Sequence, residues 1–69
     1  MLWKTMRHSD PEWFHFAFHG EVCLGSFVLI DDRLITVTVA GHRRTMELGS
    51  TPPLALAERI AVDMLNSTG

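Results

Sequence analysis

"WFHFAFHG", Trp13 to Gly20, admits two readings. His15 and His19 are four apart, the spacing that puts two metal ligands on one face of a helix. Phe14, Phe16 and Phe18, however, alternate strictly with Trp13, His15 and Ala17, which is the period of a strand. A helix would scatter three such phenylalanines around its circumference. "SDPE" before the stretch is turn chemistry, and Gly20 after it breaks the run. In an extended chain His15 and His19 stand about 13 Å apart, at about 3.3 Å per residue. A zinc ion needs each nitrogen at about 2.0–2.1 Å, so these two cannot share one. The stretch reads as a strand.

Working outward, "EVCLGSFVLI" reads as a second strand, "RLITVTVA" as a third and "RRTMEL" as a fourth. The boundaries fall at about 13–18, 22–30, 33–40 and 43–48. Asp31-Asp32 and Gly41-His42 are expected as two-residue turns, since Asp and Gly tolerate left-handed backbone. Directly opposed residues share a face, so the turns fix a register. Val28 then opposes Ile35, Val37 opposes Met46, and Ile35 opposes Leu48. One face collects Val22, Leu24, Val28, Ile30, Ile35, Val37, Val39, Met46 and Leu48. Thr36, Thr38, Thr45 and Glu47 go to the other. A three-residue loop with Gly20 as a left-handed bulge brings Phe14 and Phe16 onto the apolar side. Residues 1–8 offer a fifth, edge strand.

"STPPLALAERIAVDMLNSTG" reads as a helix over about 52–66, with Thr51 as N-cap and proline in the first turn. Leu54, Leu56, Ala57, Ile60, Ala61, Met64 and Leu65 fill one half of its circumference. Such a stripe must cover the apolar side of the sheet. The expected fold is a single α+β domain spanning 1–69: an antiparallel meander of four or five strands with one C-terminal helix packed on one face.

A single helix leaves the second sheet face open. The expected register puts Trp13, His15, Cys23, Phe27 and Leu29 there, with Leu34 adjoining. A contiguous apolar patch calls for a partner. A chain of 69 residues buries only about 60% of the surface its unfolded form exposes, so a second copy is the economical partner. A homodimer through this face or through a sheet edge is the expectation. The reading is thus a non-enzymatic protein acting by association.

Composition narrows the classes. The net charge of −2 argues against a general binder of nucleic acid or anionic membranes. One cysteine excludes an internal disulfide framework and points to a reducing, cytoplasmic setting. "MLWKTMRHSDPEW" has no apolar run long enough for a signal peptide or a membrane span. No histidine or cysteine pair has zinc spacing, and "GHRRTMELGS" lacks the lysine of a P-loop, so no metal or cofactor is expected. In the expected register His15 and Cys23 are cross-strand neighbours, which raises nucleophilic catalysis. A flat sheet face with no oxyanion donor argues against it, and no catalytic residue is assigned. The layout is similar to that of the plant-type three-strand-plus-helix DNA-binding modules, at the level of fold alone. A nucleic-acid-binding module using the open face is therefore the alternative reading, although its cations are scattered rather than clustered.

Overall fold

The computed structural model describes residues 9–68, in which the chain forms β1 (Glu12–Phe18), β2 (Glu21–Ile30), β3 (Leu34–Val39), β4 (His42–Glu47) and α1 (Pro53–Thr68). Four antiparallel strands make one sheet in the order β1-β2-β3-β4, and α1 packs on one side of it, chiefly over β3. The α+β meander with a single C-terminal helix is thus the architecture. The proposed edge strand at 1–8 lies outside the described residues.

Each of the three hairpins differs from the turn expected of it. His19 and Gly20 form a two-residue turn, with φ of 52° and 81°, and Phe16 opposes Cys23 rather than Val22. Positive φ at both positions is what a type I′ turn requires, and its twist suits flanking strands. No bulge is present at Gly20. The second connection, by contrast, contains an extra residue. Asp31 and Asp32 have φ of 53° and 55°, Arg33 N–H donates to the Ile30 carbonyl at 3.0 Å, and ladder pairing resumes only at Leu34 opposite Ile30. The loop is therefore Asp31–Arg33, not Asp31-Asp32. The third turn is Ala40-Gly41, with φ of 52° and 82°, one residue earlier than Gly41-His42.

These differences have unequal consequences, because side chains alternate with a period of two. The third shifts β4 by two positions, so Val37 opposes Arg44 and Ile35 opposes Met46, and no side chain changes face. The first two are one-residue differences at opposite ends of β2. They cancel for β1 and β3, which keep Phe14, Phe16, Ile35, Val37 and Val39 toward the helix. They invert β2 alone. Cys23, Gly25, Phe27 and Leu29 face the helix, while Val22, Leu24, Val28 and Ile30 face the open side.

The core between sheet and helix contains Phe14, Phe16, Phe27, Ile35, Val37, Val39, Ala57, Ile60, Ala61 and Met64. Within it the Phe14 ring lies 5.7 Å from that of Phe16 and 5.9 Å from that of Phe27, both tilted. Directly opposite Phe14 is Gly25, which leaves room for the ring. At the start of α1, Leu56 N–H donates to the Pro52 carbonyl at 3.0 Å, so Pro52 rather than Thr51 is the N-cap and Pro53 is the first helical residue. Leu54 points away at 49% exposure, and Leu56 and Leu65 are half-buried at the margins.

A candidate protein-binding surface

Inversion of β2 redistributes the six residues expected to form one patch. Trp13 and His15 are exposed on the open face of β1, and Leu34 is half-buried on the open face of β3. Cys23, Phe27 and Leu29 are on the helix-covered side; Phe27 is 5% exposed and belongs to the core, and Cys23 and Leu29 pack against it. The six do not form one surface. His15 opposes Leu24, and Cys23 opposes Phe16, so imidazole and thiol lie on opposite faces and form no pair. Gly25 is likewise on the helix-covered side, where the Phe14 ring fills the space over it.

What replaces the expected patch is a corner of the open face where Trp13 is joined by Val22 and Leu24, two residues expected in the core. Val22 and Leu24 are 76% and 51% exposed, and Trp13 is 68% exposed. Trp13 opposes Ser26, His15 opposes Leu24, and Ala17 opposes Val22, so the three large apolar side chains line adjacent strands. Farther along, Val28 is half-buried and Ile30 buried, which confines the exposed apolar surface to the β1–β2 side. The β3–β4 side of the same face is polar. Thr36 and Thr45 share a hydroxyl–hydroxyl hydrogen bond of 2.7 Å, flanked by Thr38, Arg43 and Glu47.

The corner is positioned by main-chain bonding at both ends of β2. The His19-Gly20 turn fixes its Val22 end. At the other, Ser9 N–H donates to the Leu29 carbonyl at 2.9 Å, and Leu29 N–H donates to Ser9 Oγ at 2.8 Å. The serine hydroxyl thus stands in for a strand carbonyl just before β1 begins. On the opposite side of the sheet an apolar groove runs between Met46, 43% exposed, and the flank of α1 at Leu56, Arg59 and Ile60.

Among the described residues, no three His, Cys, Asp or Glu side chains gather as a metal-binding group, and no helix is long and apolar enough to cross a membrane. Comparison with protein-family models, with curated proteins and with solved structures found no match.

Proposed function

We propose that the protein acts without catalysis, by binding protein, that its working unit is a homodimer, and that the Trp13–Val22–Leu24 corner is its partner-binding surface. The observation that carries this reading is the exposure of those three side chains together on a sheet face whose other half is threonine and charge. An open antiparallel face is ordinarily polar along its whole width, and contiguous apolar surface marks an interaction site. The short chain supports the dimer, because a core this small leaves stability to be supplied by association. The single cysteine supports a reducing, cytoplasmic setting. For nucleic acid the open face of β4 supplies Arg43, separated by Thr45 from Glu47, which is no cluster of cations.

Light scattering over a concentration series tests the reading, combined with the fluorescence of Trp13 in a Trp3→Phe background. The expected mass is twice 7.8 kDa. Trp13 emission that stays solvent-like through dimerisation leaves the corner free for another protein; a blue shift makes the corner itself the contact between copies. A mass of 7.8 kDa at every concentration ends the homodimer reading. Binding to an oligonucleotide that collapses as salt rises would favour the alternative.

A further inference from the structure

We propose that the two copies join through β4, pairing antiparallel about a two-fold axis at Thr45, so that the two sheets become one continuous sheet. This rests on the homodimer reading and adds where the copies meet. Among the described residues β4 is an uncovered edge of the sheet. The phase of its hydrogen bonds is set by Leu48 N–H donating to the Arg33 carbonyl at 2.8 Å. Residues alternate in direction along a ladder. His42, Arg44 and Met46 therefore direct their main-chain groups to β3, and Arg43, Thr45 and Glu47 direct theirs outward.

A two-fold axis between antiparallel edges runs perpendicular to the sheet, keeps both helices on one side, and makes the contact self-complementary. Few registers satisfy it. An axis at Arg43, Arg44 or Glu47 sets a charged residue directly against its own copy, and like charges opposite one another repel. An axis at Met46 overlaps only Thr45–Glu47 within the strands. An axis at Thr45 pairs Thr45 with its copy through outward main-chain groups and sets Arg43 opposite Glu47 of the other copy twice. Within one chain Arg43 and Glu47 stand about 13 Å apart along the strand, too far to pair. Their β3 partners on that face, Thr38 and Leu34, are uncharged. Each thus lacks an opposite charge across the β3 side and finds one across the axis.

The helix side agrees. There the register sets Arg44 against Met46 of the other copy, so the exposed Met46 and the groove beside Leu56 and Ile60 meet the neighbouring molecule. The other edge lacks this complementarity. On β1 the outward residues are Trp13, His15 and Ala17, which carry no opposite charges, and Pro11 precedes the strand. Joining at β4 leaves both apolar corners exposed, at the far ends of one continuous face. The dimer is then bivalent toward a partner.

Charge reversal decides the matter, read as the dimer dissociation constant by sedimentation or light scattering. Arg43→Glu and Glu47→Arg, each alone, should weaken the dimer by roughly tenfold or more, since each sets like charges across both contacts. The double variant restores opposite charges and should return the constant to near the original. Thr45→Pro removes an outward N–H without taking a bond from the β3–β4 ladder, and should give a folded monomer. Should that variant fail to fold, the charge pair still decides. A dimer indifferent to both single reversals overturns the β4 contact and leaves the homodimer reading standing. A wild-type monomer overturns both.

Discussion

A methyl group at Gly25 would stand 2.9 Å from Phe14 Cζ and 3.0 Å from Val39 Cγ2, both inside the core. Phe14 is itself held between Phe16 and Phe27, so its ring has no free direction in which to retreat. Gly25→Ala should therefore destabilise the protein by about 1–3 kcal/mol, the cost of overpacking. A fall in the urea midpoint would report it, and Phe14→Leu in the same chain should recover part of the loss. An unchanged midpoint would mean that Phe14 does not seat on Gly25. The glycine was visible in the sequence, but its role was not. Alternation placed Phe14 on the core side, whereas the ring opposite Gly25 depends on the register of the first hairpin.

At the scale of elements, what the sequence left ambiguous was the turns. Strand period survives any choice of turn, so all four strands and the helix were legible within a residue or two of their ends. One residue more or fewer in a loop, however, changes every facing relation across it. β2 was the element most exposed to this. Cys23, Gly25, Phe27 and Leu29 on one side, and Val22, Leu24, Val28 and Ile30 on the other, are both apolar enough to be buried. β3 was not ambiguous, because Thr36 and Thr38 identify its wet side. The third hairpin makes a prediction of its own. Ala40 has φ of 52°, a left-handed conformation costing about 1–2 kcal/mol for a residue with a Cβ. Ala40→Asn gives the Asn-Gly pair that type I′ turns prefer, and should stabilise by about 0.5–1 kcal/mol. In a domain of this size that raises the thermal midpoint by a few degrees, at about 4–8 °C per kcal/mol. A lowered midpoint would place the turn elsewhere.

For the whole molecule, the inversion of β2 exchanges core and surface between near neighbours in sequence. Phe27→Glu puts a carboxylate among Phe14, Val37 and the helix, without a partner, and should abolish the cooperative unfolding transition. Leu24→Glu, three residues earlier on the opposite face, should shift stability by no more than about 0.5 kcal/mol. Circular dichroism melts of the two compare them directly; a folded Phe27→Glu together with an unfolded Leu24→Glu would reverse the assignment of faces. The candidate surface follows the same division. Trp13, His15 and Leu34 were legible as open-face residues because β1 and β3 kept their faces. Val22 and Leu24 were missed because they read as core, and the exposed corner exists only because β2 turned its other side inward.

The sequence by itself determined the period of each segment, hence the strands β1–β4, the C-terminal helix and the side of β1, β3 and β4 that meets the helix. Those are local facts, carried by phenylalanine alternation, by threonines on the wet side of β3, and by the stripe Ala57, Ile60, Ala61 and Met64. Only the tertiary structure decided which side of β2 is buried. Both of its sides can pay the desolvation term equally well, so the choice falls to the His19-Gly20 turn and the Asp31–Arg33 loop. A single strand carries no information about loop length; only when its two neighbours are fixed against it does the odd residue at Arg33 send Phe27 inward and Leu24 out.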